Sequence, residues 1–158
     1  MKNLEEKLLN KLYKSHQGES GFPFINKKEF KELVKKAHSV LINVAKNKSL
    51  ITYGEVGSKI GLNPGSEWFQ LKIAAIVGAC SEYENAKGRP LLSSIVVNQE
   101  TRKPGLGYWG LQGIPLHLQK EIRIWSTEAE EVWNEPERIE FWASEVNKVY
   151  KYWASHDL

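Results

Sequence analysis

Cysteine is almost absent from this chain. Cys80 is the only one among 158 residues, so no internal disulfide is possible and a cysteine-rich metal site is excluded. The four histidines, His16, His38, His117 and His156, lie apart without metal-ligand spacing, and neither a metal nor a cofactor is expected. Apolar runs near the roughly 20 residues of a membrane span are also missing. The opening MKNLEEKLLNKLYKSH mixes charge with leucine at helical spacing and has no apolar core or small-residue cleavage site of a signal peptide, so a cytoplasmic protein is expected. What remains is an ordinary globular composition, 41% hydrophobic and 26% charged, in a chain of single-domain length.

Strong charge of one sign is lacking as well, since the net charge is only +3, but its distribution is uneven. Residues 1–60 carry twelve lysines against six acids, whereas residues 111–158 carry five cations against nine acids. A basic front attracts phosphates, although lysines on the solvated faces of amphipathic helices give the same count.

The apolar spacing predicts a mostly helical protein. A short helix is expected over Lys2 to Lys14, followed by a loop in HQGESGFPFIN. In the second helix Phe30, Leu33, Val34, Ala37, Leu41 and Val44 share one face, and Lys28, Lys31, Lys35 and Lys36 take the other. Thr52 and Glu55 have the spacing of a capping box, so a further helix should start at Tyr53 and stop at Gly61. Leu62 to Gly65 reads as a turn and Ser66 as the cap of a helix running to about Tyr83, which fits a helix-turn-helix plan. On that helix Phe69, Ile73, Ile76, Val77 and Cys80 form a core stripe, widened by Trp68, Leu71, Ala75 and Ala79. Gln70, Ala74, Gly78 and Ser81 form a second stripe of mostly small side chains, suited to a nucleic-acid groove or to a neighbouring helix. As part of the core stripe, Cys80 is expected to be an inert thiol.

Ser94 to Val97 reads as a buried strand, and NQETRKPGLGYWG as an exposed hairpin or wing. The tail is helical again. Leu118, Ile122, Trp125, Ala129 and Val132 share a face, with Thr127 and Glu130 as a second capping pair. In the last helix Ile139, Trp142, Val146, Val149, Tyr150 and Trp153 line one side. Trp125, Trp133, Trp142 and Trp153 are expected to form a core and a clamp against the front half.

A long helix bearing Phe30 and Val34, then TYGEV, an isoleucine-glycine turn, a helix ending in VGAC, and a proline before a strand resembles the C-terminal domain of the O6-alkylguanine-DNA alkyltransferases and the non-enzymatic alkyltransferase-like proteins. The resemblance covers about half of the chain. It implies a mainly α fold with a small β wing: a winged helix-turn-helix scaffold in one domain, 1–158. Residues 1–26 would be an N-terminal helix and loop, 27–113 the winged-helix-like core, and 114–158 a helical extension. It places Tyr53 where the family's tyrosine helps rotate a damaged nucleotide. The family's Pro-Cys-His-Arg motif meets Pro90, Leu91, Leu92 and Ser93 here, so the thiolate and its neighbouring base are missing. Aligning Val77-Gly78 leaves Ala75 or a neighbour at the position of the family's arginine finger, and Lys72 is the nearest cation.

The expected function is therefore non-enzymatic binding of duplex DNA. Lys46, Lys48, Lys59, Arg102 and Lys103 would meet phosphates, and Tyr53, Gln70 and Ser81 would lie nearer the groove. Thr52, Lys72, Arg89 and Tyr108 complete the candidate contacts, and no catalytic residue is assigned. The alternative is a protein-interaction module on the same scaffold, within a bacterial or phage defence or counter-defence system and engaging a partner through the aromatic C-terminal helices. A third reading, a metal-dependent nuclease, rests on Glu100 to Lys103 alone, without evident paired carboxylates for magnesium. Ser93 and Ser94 have no histidine at a recognisable hydrolase spacing.

Overall fold

A computed structural model of the chain describes residues 4–17, 25–120 and 132–157. Among them are five α-helices and a two-stranded parallel sheet. The order is α1 (Glu6–Gln17), α2 (Lys27–Lys46), β1 (Ile51–Thr52), α3 (Tyr53–Ile60), α4 (Phe69–Ala86), β2 (Val96–Val97) and α5 (Pro136–Ser155). The first helix starts and ends later than its leucine spacing predicted. No helix among the described residues is long and apolar enough to cross a membrane.

Asn26 caps α2, its side chain accepting the Glu29 N–H at 2.8 Å. The helix buries Phe30, Leu33, Val34, Ala37 and Leu41 as predicted, and adds His38, Ile42 and Ala45. The capping box of α3 is formed: Thr52 Oγ1 accepts the Glu55 N–H at 3.2 Å, and a Glu55 carboxylate oxygen accepts the Thr52 N–H at 3.3 Å. Gly61 closes the helix in the left-handed region at φ 83°. A side chain at Gly57 would stand 2.5 Å from the Phe69 ring and 2.8 Å from the Leu62 carbonyl oxygen, so α3 and α4 meet this closely only across a glycine.

The start of α4 differs from expectation. The Ser66 hydroxyl donates to the Asn63 carbonyl at 2.5 Å, and the Asn63 side chain accepts from Gly65 N at 2.8 Å. Ser66 thus belongs to the turn, and α4 begins only at Phe69, after an uncapped Trp68. The helix continues to Ala86, past the predicted end at Tyr83. It is the central element, contacting α1, α2 and α3, and residues 75–84 are all buried. The predicted small-residue stripe therefore divides. Gln70 and Ala74 face solvent, whereas Gly78 meets Leu111 and His16, and Ser81 is wholly buried.

The predicted four-residue strand is shorter. Leu92–Ile95 forms a 3-10 turn and only Val96 and Val97 pair, with Thr52 opposite Val97. The following segment is a compact loop rather than a hairpin. Arg102 N donates to Asn98 O and Asn98 N to Lys103 O, both at 2.9 Å. A 3-10 turn over Leu106–Gly110 then buries Tyr108 and Trp109. These two rings remove more apolar surface from water inside than a solvated wing would allow.

They seed a second core with Leu91, Leu111, Ile114, Leu118, Val132 and Trp133, against which Ile139, Phe141 and Trp142 of α5 pack. The other end of α5 buries Val149 and Trp153 in the main core. The last helix thus clamps both cores, as its aromatic face predicted. The helical reading of Ile122 to Ala129, including Trp125 and the Thr127–Glu130 pair, lies outside the described residues; Leu116–Leu118 is a single 3-10 turn.

Candidate nucleic-acid interface

The parallel pairing of β1 with β2 sets the geometry of the surface. Both strands run in one direction, so the N-terminus of α3 and the loop after Val97 emerge side by side. The Tyr53 hydroxyl fastens them, accepting the Gly105 N–H at 2.8 Å. Burial pushes that hydroxyl up to about 12, partly opposed by the Gly105 hydrogen bond, so the phenol stays neutral. Between these elements opens a shallow groove of about 360 Å³, lined by Thr52, Gly54, Glu55, Ser58, Lys59, Pro64 and Gln99.

Several cations lie on the groove's wall or on segments that adjoin it in the chain. Lys59 is exposed on its wall, and Arg102 and Lys103 sit on the same 98–103 loop as Gln99. Lys48 is exposed just before β1. Gln70 and the half-buried Lys72 occupy the first turn of α4. The Glu55 carboxylate is held by the Thr52 N–H and hydroxyl, the latter at 2.9 Å.

Other predicted contacts fall elsewhere. Ser81 is buried and hydrogen-bonded to Ser93, its hydroxyl 2.5 Å from the Ser93 hydroxyl, so it cannot reach a groove. Tyr108 is buried with its hydroxyl 2.7 Å from that of Ser94, and is withdrawn from any ligand for the same reason. Arg89 is committed inward, paired with Glu84 and lying 5.9 Å from the Trp153 ring centroid. Lys46 is exposed but paired with Asp157. Cys80 is fully buried, and burial, reinforced by Glu84, pushes its thiol far above the usual range.

Ser58, Pro64 and Gln99 line this groove, and sequence reasoning alone does not select them. Gln99 is brought in by long-range strand pairing, which has no local signature. Trp68 falls on the apolar stripe of α4 by spacing, but it stands one residue before the helix at φ 64° and ψ 17°, so helical spacing does not apply to it. Its side chain is 49% exposed. Left-handed backbone costs an L residue about 1–2 kcal/mol, and Lys48 (φ 51°) and Arg102 (φ 58°) share it. Among the described residues no group of three or more His, Cys, Asp or Glu side chains is placed to hold a metal ion.

No family model, no curated protein and no solved structure matches this chain.

Proposed function

We propose that the protein is a non-enzymatic duplex-DNA-binding protein of the cytoplasm, in which α3, the 61–68 connection and α4 act as a helix-turn-helix of alkyltransferase-like form. The observation that carries this reading is the meeting around one groove of the α3 N-terminus, Lys59 and Gln99, which belongs to the loop that carries Arg102 and Lys103. Backbone N–H groups and cations on such a rim suit phosphate contacts, while Gln70, exposed in the first turn of α4, holds the position from which a recognition helix reaches base edges. The protein-interaction alternative draws less support. Trp133 and Trp153 are buried, and the Trp142 N–H donates to Ser94 O at 2.8 Å, so these three tryptophans serve the two cores.

A gel-shift titration with plain and alkylated duplexes between about 50 and 200 mM salt tests the proposal. Duplex affinity should fall steeply with salt as counterions are displaced. Replacing Lys59, Arg102 and Lys103 together by glutamine should weaken binding and reduce the log–log salt slope by up to about 0.9 for each phosphate left without its cation. Absence of retention at low salt overturns the proposal. Tighter binding to the alkylated duplex would add a lesion-sensing role, and equal binding would limit the likeness to the scaffold.

A further inference from the structure

We propose that Tyr53 is a positioning residue of the DNA-binding surface: its hydroxyl sets the loop that bears Arg102 and Lys103, and it acts on a duplex through those cations without touching a nucleotide. The inference rests on the duplex-binding reading and assigns one residue's part in it.

The loop after β2 is closed on itself. The Lys103 carbonyl accepts the Asn98 N–H at 2.9 Å and the Asn98 side-chain amide at 3.3 Å, and Thr101 Oγ1 accepts the Lys103 N–H at 3.3 Å. These bonds give the loop its shape but do not orient it against α3. Two consecutive residues do that. Thr52 stands opposite Val97 in the strand register, and the Tyr53 hydroxyl accepts the Gly105 N–H at 2.8 Å. The exposed Arg102 and the half-buried Lys103 lie between these two points of attachment. At the second point the approach is close: a Cβ on Gly105 would stand 3.4 Å from the Tyr53 hydroxyl oxygen and 3.8 Å from the ring carbon that bears it. The other side of the phenol packs on the main core. Tyr53 is thus braced by the core and bonded to the loop, and its oxygen already serves a protein donor.

Such a brace matters for binding because ordering a loose loop on its ligand costs conformational entropy, and the affinity falls by that cost. A tyrosine that met a nucleotide itself would contribute whatever charge the loop carried. A tyrosine that only sets the loop contributes nothing once the loop's cations are gone. The two roles therefore differ in their energetic coupling to Arg102 and Lys103.

The test is a double-mutant cycle on the full chain, with plain duplex at about 50 mM salt. Tyr53→Phe keeps the ring packed on the core and removes only the hydroxyl. It should weaken binding about threefold to tenfold and leave the log–log salt slope unchanged. In a protein already carrying Arg102→Gln and Lys103→Gln, the same change should alter affinity by less than about twofold, because the loop has no cation left to place. Hydrogen exchange in free Tyr53→Phe should quicken within residues 98–105 and keep wild-type rates in α2. Equal losses of affinity in the two backgrounds, or a wild-type affinity in Tyr53→Phe, overturn the positioning role and leave the duplex reading standing. Exchange that rises equally in α2 overturns it too, since the hydroxyl would then support the whole fold. Failure of wild type to bind the duplex overturns both.

Discussion

Glu84 is fully buried on α4, where a carboxylate should be costly to ionise. Burial pushes its pKa up, but hydrogen bonds and charge from His38 and Arg89 outweigh that and hold the carboxyl below its ordinary 4.5. The cluster joins α2 through His38 to α4, and Arg89 carries it onto the Trp153 ring of α5. Removing the carboxylate leaves Arg89 half-buried and His38 buried without that partner, so Glu84→Ala should cost about 3–5 kcal/mol, measured by urea unfolding. The sign with pH follows from the lowered value. The ionised carboxylate's stabilisation is complete above about 4.5 and is lost as pH falls through the lower folded-state value. The melting temperature should therefore drop below about pH 4.5, and Glu84→Gln should flatten that drop. Parallel curves for the two proteins would assign acid sensitivity to other carboxylates, of which Glu6 is one, held at about 2 by Lys31 and then Lys35.

Single helices are legible in the sequence wherever their determinants are local. The capping box of α3 needs only Thr52 and Glu55, three residues apart, and both of its hydrogen bonds are present. Thr52→Ala frees the Glu55 N–H and should destabilise the protein by about 1 kcal/mol, whereas Thr52→Ser should cost much less; thermal melts compare the two. Equal losses would mean that the β1 position of Thr52, rather than its hydroxyl, matters. The limits of α4 are harder to read because it is surrounded by protein along residues 75–84, which removes the polar face that marks a helix end. Ser66 misleads for a related reason: serine caps helices and closes turns with the same hydroxyl, and here the Asn63 carbonyl takes it. The loop after β2 is illegible because its shape follows from pairing with a strand about 45 residues earlier and from burial of Tyr108 and Trp109, neither of which leaves a short-range pattern. At the candidate interface, Lys59, Arg102 and Lys103 are legible as cations, but their shared placement is not.

At the scale of the whole molecule, the C-terminal helix supports segments that carry the candidate interface. Glu145 of α5 accepts the buried Leu91 N–H at 3.0 Å, and Trp142 binds the Ser94 carbonyl. These contacts grip both ends of the segment that leads into β2, and β2 in turn sets the 98–103 loop beside α3. Glu145→Ala should leave the Leu91 N–H buried without that acceptor, a loss of about 1–3 kcal/mol. The consequence for binding differs in kind from removing a cation. Phosphate contacts would keep their number, so the salt slope should be unchanged, while affinity falls modestly because the loop is held less firmly. Hydrogen exchange should quicken at Leu91 and through Val97 before it changes in α2, whose most extensive packing is against α4. Exchange that rises equally in α2 would show global destabilisation, and an altered salt slope would place Glu145 in the electrostatics of binding instead of in its support.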